Sequence, residues 1–481
     1  MPGTSPGMTI LQVAAHDLKT TTPILGIKIL GPARDVGAHA AGIGLRVERG
    51  VRGGVGVAAQ RGTPAVIGVA DVLGAMLLWL AWSRSAIMGV SLQKRTIQML
   101  PSQRALFEMP RQICYLNAAS YSPLPLRTLE AGRAAVGRKG TPWTLEASFA
   151  NQQHERARLA AARLINAEAS DIALISSISY GVATAAKMLP IARGTRVIVL
   201  ENDHSSPVLE WQTRAEAEAF TVETVRQPDD SDWTSAVLAA IQRSGAPPVS
   251  LASISSVHWS DGGLIDVDKV GAALRQQGAA FLVDATQSAG VLATDVKRLD
   301  PDFLIFPTYK WLLGPYGRAF LYVAKRHQGG IPLEQTASGR RNVRAENAVY
   351  FTDLSYVPDA RRFDMGERDH FISMEMASIG MEMVADWGAP AIVQRLTILT
   401  ERIAAGVRGI GVRVPEPHLR APHVLSLAFQ GGMPAGLVEG LASEGVYVAP
   451  RLGHMRISPH VYNDEADVDR FVEVLTRRLR G

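Results

Sequence analysis

The chain has a single cysteine, Cys114, among 481 residues. That scarcity excludes a disulfide framework and any metal centre built on several thiolates, so no metal is expected and a reducing, cytoplasmic compartment is the expectation. Charge is also sparse, at 20% of residues against 47% hydrophobic. Such a balance belongs to a packed globular protein and excludes an extended disordered or collagen-like chain. Basic surplus is lacking where it would matter. The net charge is +5, yet residues 1–98 hold ten Lys and Arg against four Asp and Glu, which leaves 40 against 41 in residues 99–481. The main body therefore offers no field for a polyanion, and no nucleic-acid partner is expected.

Residues 1–98 are rich in Gly, Ala, Val and Arg, as in GLRVERGVRGGVGVAAQRG, without a sustained helical or strand period. The mostly apolar stretch 65–82 approaches bilayer-spanning length, but Asp71 lies inside it at a cost of roughly 2.5–3.5 kcal/mol. It also starts too late for a signal peptide. A membrane anchor is not expected. The segment reads as a poorly ordered extension upstream of Met99, which would be the natural first residue.

From about Ile113 short apolar runs alternate with helical patterns: DIALISS then YGVATAAKML, TRVIVLEND then a helix through Trp211, PVSLASISSV, AAFLVDATQ, DFLIFPT and AFLYVA. Continuous apolar runs separated by helices predict strands buried on both faces of a largely parallel sheet. Such sheets bind ligands beyond the carboxyl ends of their strands. After about Pro358 helices mix with short strands such as HVLSLAF and MRISP. The expected organisation is an α/β domain over 99–357 and a smaller C-terminal domain over 358–481.

Two neighbouring units carry the chemistry. AAFLVDATQ puts Asp284 at the end of one buried strand, with Gln287 just beyond, and DFLIFPTYKWLLGPYG presents Lys310 after another. A lysine amine and a buried acid at one sheet edge are what pyridoxal 5'-phosphate needs. The amine carries the cofactor as a Schiff base, and the acid keeps the pyridine nitrogen protonated. ISSISYGVATAAKML reads as strand, hydroxyl-rich turn and helix, whose N-terminus favours a phosphate.

From Ile113 onward the sequence resembles the class V aminotransferase family of fold-type-I pyridoxal enzymes, which includes cysteine desulfurases, kynureninase and isopenicillin N epimerase. YLNAASYSPLP resembles the family's active-site entrance, VDATQSAG its acid segment and PTYKWLLGPYG its lysine segment. The resemblance gives Asp284 the pyridine nitrogen and Gln287 the phenolic oxygen. It places the phosphate cradle at Ser179 and Tyr180, with Gly181 permitting close backbone approach. Thr308 is the candidate for a second phosphate contact, because Pro307 stands where the family commonly has Ser. His204, after TRVIVLEND, resembles the imidazole that stacks on the cofactor ring and relays protons. GVYVAPRLGHMRISPHVYN resembles the segment whose arginine grips the substrate carboxylate, with Arg451 the first choice and Arg456 the alternative. A homodimer is implied by the resemblance.

The desulfurase branch needs a cysteine on the loop beside that arginine, and PRLGHMRIS is short and has none. With an amino-acid substrate the same residues can begin transamination, epimerisation or β-elimination. Transamination is the leading expectation by analogy, an epimerase, racemase or β-lyase the alternative. A non-catalytic scaffold relic would have lost Lys310, Asp284, Gln287 or His204, and all four stand.

Overall fold

The computed structural model describes residues 99–480 together with three strands nearer the N-terminus. Those strands, β1 (Leu25–Ile27), β2 (Gly44–Arg49) and β3 (Val55–Gln60), form a sheet of order β1-β3-β2 in a compact unit spanning Met1–Thr96. The sequence shows no sustained strand period there. The alternation in GLRVER is too short to stand out in Gly- and Arg-rich text. The apolar stretch 65–82 lies outside the described residues. Among the described residues no helix is long and apolar enough to cross a membrane.

The second compact unit, Ile97–Gly481, is organised on a seven-stranded sheet. A short strand, β4 (Cys114–Tyr115), precedes it. The sheet comprises β5 (Ile172–Ile175), β6 (Arg196–Leu200), β7 (Thr221–Val225), β8 (Val249–Ser255), β9 (Ala280–Asp284), β10 (Phe303–Pro307) and β11 (Ala319–Val323), in the order β5-β11-β10-β9-β8-β6-β7. Strands β10, β9, β8, β6 and β7 run parallel, while β11 is antiparallel to both neighbours.

Burial on both faces accounts for the apolar runs. Along β10, Phe303 and Ile305 face a cluster with Val182, Ala185 and Trp211, whereas Leu304 and Phe306 face another with Trp233, Val270 and Leu274. Successive side chains point to opposite faces, so a strand covered on both sides has no polar alternation to display. Edge strand β7, TVETV, is half exposed and did not stand out among the runs.

The C-terminal part carries its own sheet, of β12 (Val412–Arg413), β13 (Leu425–Phe429), β15 (Ala449–Arg451) and β16 (His454–Ile457), in the order β12-β13-β16-β15. Strand β14 (Val446–Tyr447) instead pairs with β4, tying the entrance segment to the C-terminal part. Helix Phe149–Ile165 meets helix Ser373–Trp387 through Arg156, which donates to Glu382 at 2.7 Å.

Candidate active site

Parallel strands end together, and the residues that follow them share one edge of the sheet. Asp284 is the last residue of β9 and Lys310 follows the end of β10. Asp203 and His204 follow β6, and Trp259 follows β8.

Lys310 is 7% exposed and has no hydrogen bond or ion pair among the described residues. Burial depresses its ammonium, and Arg456 and Arg451 add to this, while Asp284 opposes it. Burial raises the Asp284 carboxyl, whose Oδ1 accepts the Thr286 amide at 2.8 Å. A lysine and an aspartate desolvated at one sheet edge and not ion-paired among the described residues are set for a bound group lying between them. This donor set fits pyridoxal phosphate.

His204 heads helix Ser205–Glu218 and its ring meets Trp259 edge-on, with centroids 6.1 Å apart. Burial and the nearby Lys310 lower its pKa, which favours the neutral imidazole. Asp203 anchors this corner. Its carboxylate accepts the Ser255 hydroxyl at 2.7 Å, the Ser255 amide at 3.1 Å and the His204 amide at 2.7 Å.

Helix Ile178–Met188 begins earlier than the sequence indicates. Ser177 is its N-cap, accepting the Tyr180 amide at 3.1 Å, and its hydroxyl lies 3.1 Å from that of Ser179. The Ile178 and Ser179 amides have no acceptor among the described residues, so the free donors lie one step before Tyr180. Gly181 faces the sheet. A Cβ there would fall 2.9 Å from both Ile175 Cδ1 and Ile305 Cδ1, so the glycine lets the helix pack on the sheet. Its amide donates to the Ser177 carbonyl at 3.3 Å. Thr308 is turned inward. It is fully buried, and its hydroxyl donates to the Pro315 carbonyl at 2.7 Å, clasping the loop that bears Lys310. That hydrogen is spent inside the protein.

Both candidate arginines reach one point. Arg451 Nη2 and Arg456 Nη2 donate to Ser120 Oγ at 2.8 and 2.7 Å, and Arg456 Nη1 donates to the Trp259 carbonyl at 2.6 Å. Neither guanidinium is paired with a carboxylate among the described residues, although Arg456 is 1% exposed. Two adjacent cations, one buried and one half-buried, with only a hydroxyl between them form a receptor for a carboxylate. The Trp259 ring lies 5.7 Å from the Arg451 guanidinium carbon, and its indole donates to the Asn202 carbonyl at 2.7 Å. Ser120 and Trp259 escaped the sequence reading as site residues. HWSDGG directly follows a buried strand, and the strand-end rule would have found Trp259.

Known proteins share this fold. Residues 114–471 match the family model for class-V aminotransferases. The chain belongs to the class-V aminotransferase family. It is an enzyme of fold type I, and its cofactor is pyridoxal phosphate. An uncharacterized aminotransferase, YcbU, of Bacillus subtilis is 26% identical over 388 residues, covering 79% of this chain and 99% of the relative. A cysteine desulfurase of Salmonella newport is 26% identical over 416 residues, covering 79% and 96%. Among solved structures, an apo cysteine desulfurase from Thermococcus onnurineus superposes with a TM-score of 0.67 at 22% identity, over 79% of this chain and 97% of that one. The cystine C-S lyase C-DES also gives 0.67, at 19% identity over 76% and 98%.

Proposed function

We propose that this family member is an aminotransferase acting on an α-amino acid, with Lys310 bearing the cofactor and moving the proton at Cα. The observation that carries the reading is the buried Lys310 amine beside the guanidiniums of Arg451 and Arg456, none of the three meeting a carboxylate among the described residues. When bound, pyridoxal phosphate supplies an electron sink for the pair left at Cα. Arg456 and Arg451 hold the α-carboxylate where Ser120 Oγ now sits between them. The depressed Lys310 amine is neutral enough to accept the Cα proton and to return it. Asp284, raised by burial, keeps a proton shared with the pyridine nitrogen. The His204 ring would cover the face of the cofactor ring, and Trp259 walls the space between His204 and Arg451. The Ile178 and Ser179 amides, the Ser177 and Ser179 hydroxyls and Tyr180 offer the phosphate its donors.

Similarity to an aminotransferase along nearly its full length supports transamination. Persulfide chemistry is disfavoured by the hairpin that joins the two arginines. Strands β15 and β16 are connected through Leu452 and Gly453 alone, both at positive φ, so no loop remains to carry a thiol. A homodimer is part of the proposal. It is supported by a cluster of exposed apolar residues on one loop, Val349, Tyr350, Phe351 and Leu354. A cytoplasmic location is also part of it.

The test is absorbance of the purified protein with a panel of amino acids, beside Lys310→Ala. We expect a visible band, erased by borohydride and absent from the variant, which one amino acid converts to the amine form of the cofactor. Changed substrate chirality, or ammonia release with a persistent band, would replace transamination by epimerisation or β-elimination. A protein that cannot be reconstituted with pyridoxal phosphate would overturn the reading.

A further inference from the structure

The Gln287 side chain is 3% exposed, and its environment permits one orientation only. The Trp311 indole can only donate, and it lies 2.8 Å from one end of the amide, which must therefore be Oε1. The Ala119 carbonyl can only accept, and it lies 3.1 Å from the other end, which must be Nε2. With Oε1 occupied and one Nε2 hydrogen used, a single N–H remains. The backbone is held as well, because the Gln287 carbonyl receives His423 Nε2 at 2.5 Å. His423 lies in the C-terminal part and packs edge-on to Trp311, with ring centroids 4.4 Å apart. His460, whose ring centroid lies 5.4 Å from that of the indole, takes the Val461 amide on Nδ1 at 2.7 Å, so its Nε2 donates to the Trp311 carbonyl at 3.1 Å. Trp311 directly follows Lys310 and is 1% exposed.

We propose that Trp311 is a positioning residue that makes Gln287 a one-way donor toward the bound cofactor, with His423 and His460 holding the clamp from the C-terminal part. The inference rests on the proposed placement of the cofactor between Lys310 and Asp284. An amide free to rotate could offer either an N–H or a carbonyl oxygen to the cofactor's phenolic oxygen. The clamped amide offers only the N–H, which favours that oxygen in its unprotonated form. The residue after the lysine thus governs a proton on the cofactor without touching it.

The experiment is a double-mutant cycle read from the visible spectrum of pyridoxal-phosphate-loaded protein, titrated with pH without substrate. Trp311→Phe keeps an aromatic ring and removes the N–H, while Gln287→Leu removes the donor itself. The charged and titratable groups around this position, Asp284, Lys310, His204, Tyr309, Arg451, Arg456 and His460, are the same in every variant, and His423 is unchanged in all but its own. We expect the midpoint of the band change to rise in Trp311→Phe by about one pH unit, the scale of one charge-assisted hydrogen bond. Gln287→Leu should shift it at least as far, and the double variant should match Gln287→Leu alone. Should Trp311→Phe fail to fold, His423→Gln loosens the clamp from the backbone side and should give a smaller rise that vanishes in the Gln287→Leu background. An unshifted midpoint in both single clamp variants, or shifts that add to that of Gln287→Leu, would overturn the clamp. Absence of a visible band from the unmutated protein would instead defeat the proposed cofactor placement.

Discussion

Arg451 and Arg456 donate to the same oxygen, Ser120 Oγ, at 2.8 and 2.7 Å, and each lacks a carboxylate partner among the described residues. The hairpin sets this convergence. Arg451 ends β15 and Arg456 lies inside β16, so a two-residue turn brings both side chains to the same hydroxyl. Arg456 is the more desolvated, and burial followed by the charge of Arg451 lowers its guanidinium.

Substitution at the two positions should therefore be unequal. Arg456→Lys removes a buried two-pronged donor and should lower kcat/KM for the amino acid about 10–100-fold, corresponding to roughly 1.5–3 kcal/mol of charge-assisted hydrogen bonding. Arg451→Lys, at the more exposed rim, should cost about tenfold or less. Steady-state kinetics with the preferred amino acid checks the order, and a larger loss at Arg451 would reverse the assignment.

Asp284 should trade stability against function. Burial raises its carboxyl, so the folded cofactor-free protein binds a proton more readily than the unfolded chain does. Its contribution to stability is then present at low pH and lost as pH rises from the ordinary carboxylate range toward neutrality. Asp284→Asn keeps the Oδ1 acceptor for the Thr286 amide. It should stabilise the cofactor-free protein at neutral pH by about 1–3 kcal/mol, the scale of an unsatisfied buried group, and flatten that pH dependence. Turnover should fall at the same time. Thermal unfolding of cofactor-free protein across pH, compared with kcat of loaded protein, measures both halves.

Leu452 holds φ at +46° and Gly453 at +81°, the backbone of a two-residue hairpin turn that favours Asn-Gly. A leucine there bears left-handed strain of about 1–2 kcal/mol. Its side chain is 56% exposed, so it gains little by packing. Leu452→Asn should raise stability by about 0.5–1 kcal/mol without altering KM, as judged by denaturant midpoint and steady-state rates.

Cys114 is fully buried and its thiol donates to the Asp467 carbonyl at 3.2 Å. Burial pushes the thiol far above its ordinary range, so it is neither a thiolate nor accessible. The native protein should not react with an aromatic disulfide reagent, and Cys114→Ala should keep full activity at a cost of about 1 kcal/mol in stability. Loss of turnover with retained folding would reopen sulfur chemistry.

The sequence alone determined the architecture of the main body, because a sheet covered on both faces must be written as apolar runs, and β5, β6, β8, β9, β10 and β11 all lie in runs read that way. It also put Asp284, Lys310 and His204 at or just after the ends of buried strands, since strand ends are local features. Tertiary structure alone decided what those residues meet. Ser120 lies far along the chain from Arg456, and no local pattern predicts that their side chains touch. The orientation of the Gln287 amide depends on an indole from another segment and a carbonyl from a third. Gly181 and Thr308 show the reverse case, in which a residue of the right type beside the site turns inward because packing, not chemistry, claims its free side. Strand and helix positions follow from short-range periodicity, whereas the aim of a side chain is settled by the neighbours that long-range folding delivers.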